Sequence, residues 1–358
     1  MSNNPKVSIM FPSYNHGEFV AEAIQSVLNQ TFDDYEVIFS DDASTDNTME
    51  IVKKYADDRF VINQFTSNQG ANINTKYIYS KCKGRYLALC NSDDVWMPEH
   101  LEKGVDYLDS HPECGAVFSW AETIDENGRT IEKCCDAFRK ENRTKEEWVK
   151  YLFMNGNCLC HPSVVIRKSV YEEIGFYNLG MRQLPDFYLW TKLVKKYEIH
   201  IFTETLVKHR RHINTLINTS APIAENSIRD INESIYILRN YFRDMEDDFF
   251  CKAFNKEFRN NKAKTHEELL CEKFFLLYDD KYYMKEVGKQ VAHSFFLEIC
   301  DVPKVYDLLV DCYKFNLRDF YEFGSTIDLY DIRGKNEKIS NKKSMFESTF
   351  GKLLRYFK

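Results

Sequence analysis

A chain of 358 residues exceeds one ordinary domain and suits two, and 44% hydrophobic with 29% charged residues excludes a disordered polymer. A formal charge of -7 argues against nucleic acid as the main partner, because binding a phosphate backbone requires a basic surface. No apolar run reaches the length of a membrane span, and eleven cysteines at irregular spacing read as reduced thiols. Met1 to Lys6 lead straight into a strand pattern, so a cytoplasmic protein without a leader is expected.

Residues 7–11 read as a short buried strand ended by Pro12-Ser13-Tyr14-Asn15-His16-Gly17. A helix is predicted over 18–29, with Val20, Ala23, Ile24, Val27 and Leu28 on one face. A second strand, 35–40, ends in Asp41-Asp42-Ala43-Ser44-Thr45-Asp46, with a helix from 47. A third strand, 60–65, is followed by Asn68-Gln69-Gly70 and a helix over 72–81. The fourth, 86–90, stops at Asn91-Ser92-Asp93-Asp94. Four strand–helix alternations imply right-handed crossovers and a mainly parallel sheet. Ligands of such sheets sit beyond the carboxyl ends of the strands, where the acidic tetrad falls. Adjacent carboxylates repel unless compensated, and Mg²⁺ or Mn²⁺ is a natural compensator. The alternative is a solvated turn in which Asp94 caps the helix near Glu99.

The next stretch is more mixed. A helix over 99–110 and a strand over 116–121 precede Asp125-Glu126-Asn127-Gly128, a hairpin signal. Thr144 and Glu147 form a capping box for a helix to about 154. Cys158-Leu159-Cys160-His161 has the spacing of half a zinc site, but no second ligand pair accompanies it. A strand over 163–166 and a helix over 169–174 closed by Gly175 follow. A loop then leads to Asp186, a helix over 187–196, and a stretch at 206–212 ending in His209-Arg210-Arg211-His212.

Near Ser220-Ala221-Pro222 the character changes to helical patterns rich in Phe, Tyr and charge, without a repeat period. Three parts are therefore expected: an α/β domain at 1–220, a helical accessory domain at 221–332 and a basic tail at 333–358. The tail carries eight Lys/Arg against two Glu, a local charge of +6. Phe346, Phe350, Leu353, Leu354 and Phe357 make an apolar helical stripe there, with Lys352, Arg355 and Lys358 off it. Such a helix suits an anionic membrane surface at the inner face of the cell membrane; the alternative is packing on the helical domain.

The motifs in this order, Phe-Pro-Ser-Tyr-Asn at 11–15, Asp-Asp-Ala-Ser-Thr-Asp at 41–46, Asn-Gln-Gly at 68–70, Asn-Ser-Asp-Asp at 91–94 and Leu-Pro-Asp-Phe-Tyr-Leu-Trp at 184–190, resemble glycosyltransferase family 2. The resemblance covers about 5–215. It implies the GT-A fold, a Rossmann-like sheet flanked by helices, and inverting transfer of a sugar from a nucleotide donor. Pro12, Ser13, Tyr14 and Glu18 would line the nucleotide pocket, and Asp41 or Asp42 would accept a hydrogen bond from the base. Asp46 would cap a helix. Asp93 and Asp94 would hold the metal against ribose and diphosphate, with His212 joining them, and Asp186 would be the catalytic base.

Four positions depart from the family pattern. Asn91 stands where an aspartate is common; it can still bind ribose or coordinate by its carbonyl, at lower site charge. Pro185 replaces a glutamate that commonly precedes the base, and Thr75-Lys76 replaces an Arg-Asn pair. The expected donor is a UDP-sugar, the acceptor a glycan or lipid-linked glycan, and the pathway cell-surface polysaccharide biosynthesis. Two other readings stand beside this one. The first is a nucleotide-sugar-binding protein without turnover, in which Asn91 records a lost metal site. The second is a sugar nucleotidyltransferase, which would want a glycine-rich phosphate loop where Pro12-Ser13-Tyr14-Asn15 stands. A dehydrogenase is disfavoured because no Gly-x-Gly-x-x-Gly turn follows the first strand.

Overall fold

The computed structural model of the chain describes residues 4–212 and 223–327. It divides into two compact units at Asn255 and Lys256. The first opens with the expected alternation: β1 (Val7–Ser13), α1 (Val20–Leu28), β2 (Tyr35–Asp41), α2 (Thr48–Tyr55), β3 (Phe60–Gln64), α3 (Ala71–Lys81) and β4 (Tyr86–Leu89). It continues through β5 (Val95–Trp96), α4 (His100–Ser110), β6 (Cys114–Ile124), α5 (Glu132–Cys135), α6 (Lys145–Asn155) and β7 (Val165–Arg167). It closes with α7 (Lys168–Ile174), α8 (Pro185–Lys196), β8 (Glu198–Arg210), α9 (Ala224–Arg239) and α10 (Asp247–Phe254).

The eight strands form one sheet in the order β3-β2-β1-β4-β7-β6-β8-β5. The half from β3 to β4 is parallel, with Val7 opposite both Tyr35 and Tyr86. Antiparallel β7 joins it to β6, which pairs in parallel with β8. Because the chain moves outward from β1 to β3 and then returns to β4 on the other side of β1, the strand order reverses between β1 and β4. In open sheets of this kind, ligands bind at that reversal, beyond the carboxyl ends of the strands. Val7, Ile9, Phe11, Val37, Phe39 and Ala88 are buried on one face against Val20, Ala23, Ile24 and Val27 of α1. Parallel strands buried on both faces must be apolar throughout, which is why these segments read so plainly in the sequence.

Two features differ from expectation. Strand β8 begins at Glu198, not near 206, because its first half pairs with β6 although Thr203 and Glu204 are exposed. Nor does the α/β unit end at 220. Helix α10 packs on α6 through Phe153, Phe250 and Phe254, joined by Tyr241 and Phe242 of the turn that follows α9, and the Tyr241 hydroxyl donates to the Val149 carbonyl at 2.7 Å. Burying these rings ties both helices to the first unit. The Thr144–Glu147 capping box is present.

The second unit holds α11 (His266–Tyr278), α12 (Lys285–Ile299), α13 (Val305–Asp311) and α14 (Leu317–Ser325). Its core is aromatic, with Phe274, Phe275, Phe296, Phe315 and Phe320 in mutual ring contact. Buried Glu272 accepts from the Arg259 and Asn260 amides and from the Tyr313 hydroxyl, so its charge is satisfied. The basic stripe at 333–358 lies outside the described residues. Among the described residues no helix is long and apolar enough to cross a membrane.

His100 opens α4 with its ring 4.5 Å from that of Trp96 and neither ring nitrogen hydrogen-bonded. Burial alone pushes its pKa down to about 3, against 6.5 for a free histidine. Its neutral form is the folded form, so its stability contribution is complete above pH 6.5 and is lost as pH falls toward 3. Wild type should lose roughly 3 kcal/mol more than His100→Leu between pH 7 and pH 4. Denaturant midpoints at the two pH values measure this, and equal losses would place the charged ring in solvent.

Candidate active site

The loops beyond β1 and β2 are bound to each other. Asn15, at φ +51, donates its amide to Ser44 Oγ at 2.7 Å and accepts from the Thr45 amide at 2.8 Å. The His16 amide reaches Thr48 Oγ1 at 3.0 Å, and the Gly17 amide reaches Asp46 Oδ2 at 2.9 Å. A β-carbon at Gly17 would stand 2.0 Å from Asn47 Oδ1, so any larger residue there must displace the Asn47 side chain. Asp46 also accepts from the Thr48 amide. Burial opposes its ionisation, but the Thr48 and Gly17 bonds outweigh that and hold its pKa low.

Asp41 and Asp42 are buried, and both bind their own surroundings. Asp41 accepts from the Ser44 amide at 2.8 Å and its hydroxyl at 2.5 Å. Asp42 accepts from the Gln69 and Gly70 amides at 2.7 and 2.9 Å, fastening the Asn-Gln-Gly loop. Ser13 at the end of β1 has a buried hydroxyl without a hydrogen-bond partner among the described residues. Tyr14, Glu18 and Lys76 are exposed, and Pro12 is partly covered.

The tetrad after β4 separates its two aspartates. Asp94 is wholly buried: Oδ1 accepts from the Arg210 amide at 2.8 Å and meets His209 Nδ1 at 3.1 Å, while Oδ2 accepts from Asn91 Nδ2 at 2.9 Å. Asp93 faces the other way. Its Oδ2 lies 2.9 Å from His212 Nε2 and its Oδ1 lies 3.9 Å from His16 Nδ1. The His16 and His212 rings stack at 5.7 Å, and Ser92 Oγ lies 2.7 Å from His16 Nδ1. Burial alone would raise the Asp93 pKa, but the His212 bond and the charges of His16, His212 and His209 bring it below the usual carboxylate range. The same bond to Asp93 raises the pKa of His212.

Asp93, His212 and His16 each offer one ligand atom, all within 4.8 Å of one another. Asp94, expected as a metal ligand, does not converge with them, because β8 already takes both its oxygens with Asn91. His16 was not expected. The available signal was its position, in the loop after the first strand at the ligand edge of the sheet. Two imidazoles and a carboxylate fit a divalent transition ion, while Mg²⁺ prefers oxygen ligands.

Arg210 holds this arrangement. Its Nε donates to the Asp93 carbonyl at 2.9 Å, Nη1 to the Asp125 carbonyl at 3.0 Å, and Nη2 to Glu22 at 2.6 Å; its guanidinium also covers the Phe19 ring. Asp186 lies in the first turn of α8, behind Pro185. Its Oδ1 accepts from the Phe187 amide at 2.7 Å and its Oδ2 from Asn157 Nδ2 at 3.0 Å. Burial lowers the pKa of His161, and the charges of Asp186 and Asp94 both oppose that shift. His161 Nε2 engages the Tyr177 hydroxyl at 2.5 Å, burial pushes the Cys158 thiol up to about 12, and among the described residues Cys158, Cys160 and His161 do not converge as a ligand group.

These opposite orientations predict opposite mutant behaviour. Asp94→Ala strands the Arg210 amide and should destabilise by on the order of 3 kcal/mol, visible as a fall of several degrees in Tm. Asp93→Ala should shift Tm little but abolish Mn²⁺ binding in a calorimetric titration. The reverse pattern would exchange the two assignments.

Residues 8–175 match the family described as Glycosyl transferase family 2. The chain is 28% identical over 252 residues, 70% of its length, to the putative teichuronic acid biosynthesis glycosyltransferase TuaG of Bacillus subtilis, covering 92% of that protein. It is also 28% identical over 213 residues to an uncharacterized glycosyltransferase of Methanocaldococcus jannaschii, covering 58% of this chain and 71% of that one. Among solved structures, S. aureus TarS 1-349 in complex with UDP-GlcNAc aligns with a TM-score of 0.57 at 17% identity, over 92% of each chain. The mannosyltransferase PcManGT from Pyrobaculum calidifontis in complex with GDP-Man and Mn²⁺ aligns at 0.51 and 16% identity, over 96% of this chain and 89% of that one. At these identities the structures speak to the fold alone, and the fold they share is GT-A with a helical region behind it. The motif order and the family match agree: residues 8–175 of the chain form a glycosyltransferase family 2 domain.

Proposed function

We propose that this glycosyltransferase is a metal-dependent, inverting enzyme that takes its sugar from a nucleoside diphosphate donor, a UDP-sugar, and delivers it to a hydroxyl of a glycan or lipid-linked glycan in cell-surface polysaccharide assembly. The observation that carries the reading is the convergence of Asp93, His212 and His16 at the strand reversal, with Asp186 in the first turn of α8. The donors named with the two structural neighbours, UDP-GlcNAc and GDP-Man, support a nucleotide sugar, and the Mn²⁺ named with one of them supports a metal. TuaG's name supports an envelope polysaccharide.

In this reading Asp93, His212 and His16 hold the ion, which when bound supplies positive charge to the departing diphosphate. Asn91 reaches the ribose, Pro12, Ser13, Tyr14 and Glu18 line the nucleotide, and Asp41 or Asp42 offers a remaining lone pair to the base. Asp186 accepts the acceptor hydroxyl's proton as that oxygen attacks the anomeric carbon. Asn157 and the Phe187 amide each hold one of its oxygens, which fixes the carboxylate's plane. A single base with no carboxylate placed as nucleophile leaves the product inverted, by analogy with inverting glycosidases. The first unit, which runs to Asn255, carries this chemistry, and the tail at 333–358 holds the protein to an anionic membrane surface beside its acceptor.

Asp186→Asn should cut transfer by at least about 10²-fold while nucleotide affinity stays within two-fold, because a proton acceptor is lost and no donor contact is. Screening nucleotide sugars for diphosphate release, with and without Mn²⁺, tests donor and metal together. Release with no donor under either condition would leave only the binding-protein reading. Pelleting of the full chain with anionic but not neutral vesicles, lost on truncation after Asn341, tests the tail.

A further inference from the structure

Pro185 leaves the residue before Asp186 with neither an acidic side chain nor an N–H, so the backbone there cannot be fastened from its own position. The fastening comes from elsewhere. Three successive amides ahead of it converge on one carboxylate of α9. Arg182 N donates to Glu233 Oε1 at 2.7 Å, and Gln183 N and Leu184 N donate to Oε2 at 2.9 and 2.7 Å. Consecutive amides pointing into one concavity form an anion site, and here the anion is covalently part of a packed helix. At the other end of the same loop, Asn72 of α3 donates to the carbonyls of Asn178, at 3.3 Å, and Met181. The segment is therefore tied from two sides just before the turn that carries Asp186, whose own oxygens Asn157 and the Phe187 amide already orient.

We propose that Glu233 is the positioning residue for Asp186, an inference that rests on reading Asp186 as the base. Charge-assisted bonds to three adjacent amides hold the 182–184 backbone rigid, so the first turn of α8 presents the carboxylate at one place. Helix α9 lies beyond the 8–175 match, so part of the machinery that aims the base comes from a helix the family pattern does not cover. Pro185 and Glu233 act together: the ring fixes φ, and the distant carboxylate fixes the amides before it.

The test uses the full chain and compares Glu233→Gln and Glu233→Ala with Asp186→Asn, alone and combined. Glu233→Gln keeps the shape and one acceptor but loses the charge, and it serves if the alanine variant does not fold. Both should lower kcat, the alanine variant by at least about ten-fold, since small misplacements of a reacting group cost that much. Donor KM, UDP affinity and the acid limb of the pH profile should stay as in wild type. In the Asp186→Asn background, Glu233→Ala should cause no further loss. A kcat within two-fold of wild type for both Glu233 variants, with Asp186→Asn inactive, overturns the positioning role and leaves the base standing. Equal loss of donor affinity, or full additivity with Asp186→Asn, overturns it as well. Transfer by Asp186→Asn within a few-fold of wild type removes the base reading itself, and the positioning role with it.

Discussion

A carboxylate with no exposure to water must be met by donors on every side, and Asp94 is such a group. The Arg210 amide, His209 and Asn91 meet it, and the Arg210 side chain then grips the Asp93 carbonyl, the 125–126 turn and Glu22 of α1. The end of β8 is thereby locked to the end of β4. One aspartate of the pair is spent on this lock. Its neighbour, turned to the opposite side by the same tight turn, is left facing His16 and His212. The rest of the site depends on that division.

The division also accounts for the ligand set. His212 lies two residues past Arg210, so locking Arg210 brings the histidine against Asp93. His16 arrives independently, on a loop zipped to the neighbouring one through Asn15, Gly17 and Asp46. Three separate segments thus deliver one ligand each. The resulting nitrogen-rich set differs from the carboxylate pair that adjacency in the sequence suggests, and it suits a transition ion better than magnesium.

Asp186 is fixed in another way, from the helical side. Asn157 holds its carboxylate, and Glu233 holds the backbone before it. Helix α9 meets α8 through the Tyr236 and Tyr188 rings, and the turn that follows it enters the aromatic cluster of α6 and α10 through Tyr241. The packing that joins α9 to the α/β unit therefore also lets it act on the loop of the proposed base. In the proposed role of Glu233, α9 contributes to the site from a helical region that looked like an appendage.

Much of this was legible in the residues alone. Strands β1, β2 and β4 read as apolar runs because both their faces are buried, and the amphipathic period of α1 and the Thr144–Glu147 box are local patterns. The polar tetrad at a strand end marked the ligand edge, since topology puts every such end on one side of a parallel sheet. Which aspartate faces the ligand was not legible, because adjacent side chains point apart and the choice was made by Arg210, distant in sequence. The first half of β8, half exposed, carries no strong period and is a strand only because β6 pairs with it. His16, Glu233 and the boundary at Asn255 depend likewise on contacts between distant segments. Local propensity and burial pattern are written in neighbouring residues; the direction of a side chain and the partner that satisfies a buried charge are decided only when remote segments meet.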